Sequence, residues 1–441
     1  MKMKHLGLAL SFAIALFSTA SVAEDLMQVF TLSLKSDPQL LAEAASRQAV
    51  GELDSQAHAA FLPQIDFSAN NGKVWQDTSS QSFVGGDRGY NDHGYSLSIT
   101  QPVYRRQNFV QQAQADISIE GAQASYKIAE QALIIRVAER YFDLLGRQDD
   151  VGFAITEREA IAQQLEQTKQ RFEVGIATIT DKAESQAAYD LSNAEVISAE
   201  NELANSQERL RETSGSYHDT LDVLQDETPL ISPEPEDIEQ WSVVALAQNP
   251  SLVVARTSVE NASQNIELQK SGHYPSLDVI GQKSYSSQSD SSFGGSSKTH
   301  QDSISLQLKL PIYAGGGVQS RSREAEYRLD QAMQNEEQQR RLVLRQTREA
   351  YNGVMSGISR VKALKQAVIS NEKALESTEA GYEVGTRTTV DVLNVRSALF
   401  RSRRDHASSR YVYILSSLRL KQAAGTVSAD DLAQINKWLG I

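Results

Sequence analysis

Not one cysteine occurs in the 441 residues. Disulfides, thiolate metal sites and a lipid anchor on cysteine are therefore excluded, and the fold must hold by burial or by assembly. Long apolar runs are missing too. Beyond the first two dozen residues, nothing reaches the ~18–20 apolar residues of a membrane helix. The mature protein is then either soluble or enters a membrane as a β-barrel, whose strand pattern is weak segment by segment. Positive charge is in deficit, with 43 Lys and Arg against 56 Asp and Glu and a net charge of −13. That argues against nucleic acid as partner, because phosphate binding calls for clustered Lys and Arg. His58, His93, His218, His273, His300 and His406 are scattered without metal-ligand spacing. Gly315-Gly316-Gly317 follows a strand pattern and precedes a helix, but lacks the Gly-Lys-Ser/Thr ending of a phosphate loop. No cofactor, no metal and no catalytic constellation is expected, so the chain does not read as an enzyme.

What is present begins with a leader. Lys2 and Lys4 precede an apolar stretch from Leu6 to Phe17, and Ser21-Val22-Ala23 forms a small-residue exit. Residues 1–23 read as a secretory signal peptide, with Glu24 as the mature start.

The rest of the chain is written twice. Glu173-Val174-Gly175, Thr178 and Asp181 return as Glu383-Val384-Gly385, Thr388 and Asp391, an offset of 210. Pro63 answers to Pro275, Asp37-Pro38 to Asn249-Pro250, and Tyr141 to Tyr351. A repeat this long predicts two similar structural units, residues 24–230 and 231–441. In the first, residues 105–174 contain no proline and carry apolar residues at helical spacing, among them Ile117, Ile128, Leu133, Val137 and Leu144. A helix of that length runs about 105 Å at ~1.5 Å per residue, which makes it a coiled-coil rod. Gly175 and Gly385 stand where helix C-cap glycines belong, and Thr178/Asp181 and Thr388/Asp391 read as capping boxes that start returning helices. The hairpins are expected at about 105–213 and 315–424.

Ahead of each hairpin the period changes to two. Ile65, Phe67 and Ala69, then Tyr95, Leu97 and Ile99, alternate with polar residues; Leu277 and Val279, then Ile304, Leu306 and Leu308, repeat the pattern. Strand pairs are expected at about 64–103 and 276–311, around Gly/Ser-rich tips. Aromatics gather there: Trp75, Phe83, Tyr90, Tyr95, Tyr104, Tyr285, Phe293 and Tyr313. They suit the interfacial girdles of a membrane barrel, although a soluble hairpin shows the same alternation. Topology separates the two. Four strands cannot close a barrel, and left open they expose edges. Several chains must pool their strands, and cyclic symmetry is the natural closure.

With these features assembled, the sequence resembles the TolC family of outer membrane efflux proteins over essentially all of the mature chain. The resemblance is carried by Gly381-Tyr382-Glu383-Val384-Gly385-Thr386-Arg387-Thr388-Thr389-Val390-Asp391-Val392-Leu393, by Leu310-Pro311-Ile312-Tyr313-Ala314-Gly315-Gly316, and by Leu420-Lys421-Gln422-Ala423-Ala424-Gly425-Thr426. It implies a mainly α protein with β: a homotrimer whose twelve-stranded outer-membrane β-barrel, four strands per chain, continues into a long periplasmic α-helical coiled-coil barrel. Residues around 214–241 and 425–441 would form an equatorial belt. The implied function is an exit duct for multidrug efflux and type I protein secretion, in outer membrane lipid, working with a periplasmic adaptor and an inner-membrane RND or ABC-type pump. A periplasmic coiled-coil adaptor or scaffold without its own pore is the competing reading; duplicated hairpins separated by strand pairs disfavour it.

The resemblance also assigns residues. Asp391 falls on a ring of gate carboxylates. The family's second ring carboxylate lies three residues on, where this chain has Asn394. Crowding around the three-fold axis should raise the Asp391 pKa and attract cations. Tyr382 and Arg387 match latch positions, with Thr180 and Asp181 on the acceptor side. Val174, Gly175, Val384, Gly385 and Thr386 match adaptor-docking turns.

Overall fold

A computed structural model describes residues 24–78, 86–218, 220–225, 228–289 and 295–440. The leader at 1–23 and the tip aromatics Phe83 and Phe293 lie outside the described residues. In chain order the elements are α1 (Leu26–Ser36), α2 (Pro38–Ala59), β1 (Gln64–Thr78), β2 (Gly86–Arg105), α3 (Arg106–Glu173), α4 (Ile179–Ser214), β3 (Val223–Leu224), α5 (Ile238–Gln248), α6 (Pro250–Lys270), β4 (Ser276–Gln288), β5 (Ser297–Lys309), α7 (Gly317–Glu383), α8 (Thr389–Ala424), α9 (Ala429–Asn436) and β6 (Leu439–Gly440).

Helices α3 and α7 span 68 and 67 residues, close to 100 Å each at ~1.5 Å per residue. Each returns through a tight turn into a 36-residue partner, α4 or α8. The partners reach only halfway back. Along the other half, α2 packs on α3 while α6 packs on both α3 and α7. Four helices therefore run side by side at every level of the rod.

The apolar residues are concentrated where these two levels meet. Leu133, Val137, Tyr141, Phe142, Leu144 and Leu145 of α3 are buried against Leu26 and Val29 of α1, Leu210 of α4, Ile414 and Leu418 of α8 and Leu432 of α9. The short β3–β6 ribbon closes this hub. Tyr141 anchors it by donating from its hydroxyl to the Asp222 carbonyl at 2.8 Å. Burial pushes the Tyr141 pKa well above the ordinary phenol value.

At the far end of the rods, β1, β2, β4 and β5 form one antiparallel sheet in the order β1-β2-β4-β5. The register puts Ile65 opposite Ile99 and Phe67 opposite Leu97. Gly281 then lies between Ile99 and Ile304, and Val279 opposite Leu306. Because side chains alternate with period two, these residues share one face. Most of its apolar members are exposed, Ile304 at 83%, while Val279 is half-buried. The other face carries Ser68, Ser96, Ser98, Gln282 and Ser303, with Ser68 and Ser96 hydrogen-bonded at 2.8 Å. Tyr90, opposite Val74, also falls on this polar face, so it does not join the outer girdle. Pro102 sits at the one register shift of β2, where a missing N–H costs no ladder bond. Among the described residues, edges β1 and β5 are unpaired.

The two junctions to the rods differ. Strand β2 ends at Arg105 and α3 begins at Arg106, with no intervening loop. Arg105 forks onto Asp278 of β4 at 2.9 and 3.0 Å, which fixes this corner to the sheet. On the other side, residues 310–316 separate β5 from α7, and Gly315 and Gly316 both have positive φ (62° and 76°).

Candidate functional site

The sequence-assigned residues lie at the ends of the rods farthest from the sheet. Both tips turn in the same way. Gly175 and Gly385 have φ of 78° and 79°, as a left-handed C-cap requires. The Ile176 N–H donates to the Arg171 carbonyl at 2.8 Å, and the Thr386 N–H to that of Gly381 at 2.8 Å. Val174 and Val384 point outward at 70% and 76% exposure. Apolar side chains held out on rigid turns suit a surface that another protein covers.

Each returning helix opens with a complete capping box. Asp181 accepts from the Thr178 N–H at 2.9 Å, while its own N–H donates to Thr178 Oγ1 at 3.1 Å. Asp391 and Thr388 repeat the arrangement at 2.9 and 3.2 Å. These bonds favour the ionised carboxylate. The Thr388 backbone and hydroxyl hold Asp391 below its ordinary range, and nearby Arg387 adds to the effect. Within one chain the capping box thus opposes the rise expected from crowding of copies at the three-fold axis.

Tyr382, on the last turn of α7, lies 3.4 Å from Oγ1 of Thr389. The buried Thr389 hydroxyl also faces Asp181 of the other hairpin, where it adds a little to the lowering of that carboxyl's pKa by Thr178. The Arg171 guanidinium of α3 stands 4.6 Å above the Tyr382 ring, a cation–π contact between hairpins. Tyr382 and Asp181 are thus brought together, by way of Thr389. Arg387 is not brought to Thr180 or Asp181. Its side chain folds over Gly381 of its own turn, and among the described residues Thr180 has no side-chain partner. Asn394 lies one turn beyond Asp391 and is exposed.

Stronger ties stand further along α8. Arg396 donates to the Ala160 carbonyl of α3 at 2.8 Å and to Glu379 of α7 at 2.6 Å, with its side chain only 12% exposed. Ser397 donates to Glu157 at 2.9 Å. Arg404 pairs with Asp150 of α3 and Glu195 of α4 at 3.4 and 3.7 Å. The Tyr411 hydroxyl donates to Asp149 at 2.7 Å.

Asp149 yields a signed prediction. Burial raises its pKa, outweighing the opposing effects of Tyr411 and Arg410. A carboxyl raised in the folded state costs stability while ionised, and the cost is relieved as pH falls through its folded pKa. Asp149→Asn keeps an acceptor for Tyr411 and removes the buried charge. The variant should melt higher than the wild type at neutral pH, and the gap should narrow in acid. Circular dichroism melts at both pH values check this, and a lower melting point at neutral pH would contradict it.

Sequence reasoning did not reach Thr389, Arg171 or Arg396. A signal for the first was available in the repeat. Thr178 is followed by the exposed Ile179, whereas Thr388 is followed by the buried Thr389, and the polar substitution marks the hairpin that bonds to its neighbour. Arg396 and Ala160 carry no pairing signal, because an arginine that reaches a helix carbonyl leaves no complementary residue to notice.

An exposed apolar sheet face, free sheet edges and a bonded cluster at the tips of 100 Å rods define a class. The sequence profile of outer membrane efflux proteins matches residues 29–216 and again residues 241–426. The chain belongs to the outer membrane efflux protein family, and it resides in the outer membrane as an exit duct. Members of this family are channels rather than enzymes. The chain is 38% identical over 440 residues to the outer membrane protein TolC of Vibrio cholerae serotype O1, covering 99% of both. It is 27% identical over 420 residues to the alkaline protease secretion protein AprF of Pseudomonas aeruginosa, covering 92% of this chain and 85% of that one. Its fold is shared with CusC, at a TM-score of 0.77 and 16% identity, over 94% of this chain and 96% of that one. This is the TolC-like fold, one four-stranded share of a twelve-stranded barrel continuous with helical rods. The competing reading as an adaptor without a pore is displaced.

Proposed function

We propose that three copies form a continuous conduit, and that the duct serves both multidrug efflux and type I protein secretion. The observation that carries this is the sheet, polar on one face, apolar on the other and open at both edges. Three such sheets joined edge to edge turn their apolar faces to lipid and their polar faces to a bore. The conduit performs no chemistry. Energy comes from an inner-membrane pump of the RND or ABC type, and a periplasmic adaptor covers the turns at Val174-Gly175 and Val384-Gly385-Thr386. Similarity to AprF, a protease secretion protein, supports the secretion role.

In this proposal the tips gate the conduit. The hairpins held together, as seen here, form the narrow state. Tyr382, Thr389 and Asp181 tie α8 to the neighbouring hairpin, and Arg387 reaches Thr180 and Asp181 of an adjacent copy. Asp391, on the inner face of the tip, forms a single ring of carboxylates because Asn394 replaces the second. Planar-bilayer recording tests both parts. The wild type should show stable unit conductances and a reversal potential that favours cations under a salt gradient. Asp391→Asn should move that reversal potential toward zero while conductance is retained. An unchanged reversal potential would remove the ring.

A further inference from the structure

The exposed face of the sheet does not end where its apolar residues end. From the helix side outward, its rows run Leu277 with Leu308, Val279 with Leu306, then Ile99, Gly281 and Ile304. Next come Leu97, Lys283 and Asp302, the last two paired at 3.2 Å. Then the character changes. Tyr285 stacks between Tyr95 and His300, with ring centroids at 5.3 and 4.8 Å, and His93 joins at 6.2 Å. One row further, His93 and Lys298 flank Ser287. Lys73 lies beyond, opposite Asn91 and 5.6 Å from the Trp75 ring. Past Asp302, no acidic residue falls on this face until Asp77 and Asp87, which the register places opposite each other two rows beyond Lys73. Lys298 is exposed and has no ion pair among the described residues.

The direction of these rows is fixed. The rods leave the sheet at the opposite end, so the cationic rows occupy the outer rim. About 34 Å of strand separates Leu310 from His300 at ~3.4 Å per residue, or roughly 25 Å of depth at the usual tilt. That is the height of a barrel's apolar band. The tyrosines and His300 therefore stand at its outer boundary, with Lys73, His93 and Lys298 at headgroup level. Lys73 belongs to edge strand β1 and Lys298 to edge strand β5. They lie on opposite margins of one chain's sheet and become neighbours only when copies join edge to edge.

We infer that Lys73, His93, Lys298 and His300, over the platform of Tyr285, bind the phosphate-bearing headgroup of an outer-leaflet lipid at each seam between copies. The occupant follows from two properties of one surface. The acyl chains lie on the apolar rows below, and the anionic headgroup meets two lysines and the imidazole N–H groups above an aromatic ledge. A soluble anion would use the cations and ignore the apolar rows. This inference extends the trimeric reading, because the two lysines converge only across a seam.

The test uses the full-length protein in neutral detergent and native mass spectrometry, with diphosphorylated lipid A as probe. The wild-type assembly should retain the lipid, and the dephosphorylated form should be retained far less. Each surface cation contributes about fivefold in affinity, so Lys73→Gln with Lys298→Gln should weaken retention roughly 30-fold, and Lys73→Arg with Lys298→Arg should restore it. Equal retention by the glutamine pair, or equal retention of the dephosphorylated lipid, overturns the proposal. Equal displacement by inorganic phosphate at the same concentration assigns the cluster to a free anion and also overturns it. Oligomer mass and bilayer conductance of the same samples report separately on the conduit, so a lost lipid site and a failed channel reading cannot be confused.

Discussion

Arg396→Ala should release the tip. The wild-type guanidinium bonds at once to its own hairpin, through Glu379 at 2.6 Å, and to the other hairpin, through the Ala160 carbonyl at 2.8 Å. Charge-assisted bonds of this kind contribute about 1.5–3 kcal/mol when shielded from water. Glu379 is itself 44% exposed, so solvent screening reduces its share. A net loss of ~2 kcal/mol moves an open–closed equilibrium by about 30-fold. In planar bilayers the variant should show larger or longer-lived conductance levels than the wild type. Traces indistinguishable from wild type would sink the assignment of Arg396 as a tie. Tyr382→Phe should do much less, because it loses one long contact and keeps the ring beneath Arg171. Arg403→Ala, which removes an exposed bond to Glu372 inside one hairpin, should leave the traces unchanged.

Gly425→Ala should be the most damaging small substitution in the belt. Gly425 caps α8 with φ of 78°. A methyl group there would lie 2.6 Å from both the Asn249 Cα and the Gln248 carbonyl oxygen. The peptide is also held by the Gln131 amide, which donates to the Gly425 carbonyl at 2.8 Å. A left-handed alanine costs about 1 kcal/mol before any contact is counted. Displacing the backbone at the junction of α5 and α6 adds to it, for a total of roughly 3 kcal/mol or more. The comparison is Gly385→Ala, with the same φ but open space around it, where only the conformational cost of about 1 kcal/mol applies. Thermal melts of the two variants should differ clearly, with Gly425→Ala the lower. Equal melts would mean that the belt yields locally.

Part of this architecture could be read from the chain because single residues carry it. Alternation at Ile65, Phe67, Leu97 and Ile99 marks the exposed sheet face, since a strand has only two faces. Thr178/Asp181 and Thr388/Asp391 mark helix starts, because few other residues satisfy the free N–H groups there. Gly175 and Gly385 mark the ends before them. What could not be read depends on distant partners. The pairing of β2 with β4, which joins the two repeats, has no local sequence sign. The same holds for Arg387, whose fork suits a carboxylate in principle but in this chain folds over Gly381, and for Arg171, which finds the ring of Tyr382 across a hairpin boundary. Period and capping are local; the ties between hairpins are not.

The unequal junctions between sheet and rods have a mechanical consequence. One hairpin grows straight out of its strand and is pinned by Arg105 on Asp278, so torque applied to α3 passes into the membrane ring. The other hairpin hangs from residues 310–316, where two glycines can rotate. Its link to the sheet is thus the longer and less constrained of the two. In the gating proposed above, α7 and α8 would twist at the periplasmic end while the ring embedded in lipid keeps its shape, so that cargo is admitted below without disturbing the seal above.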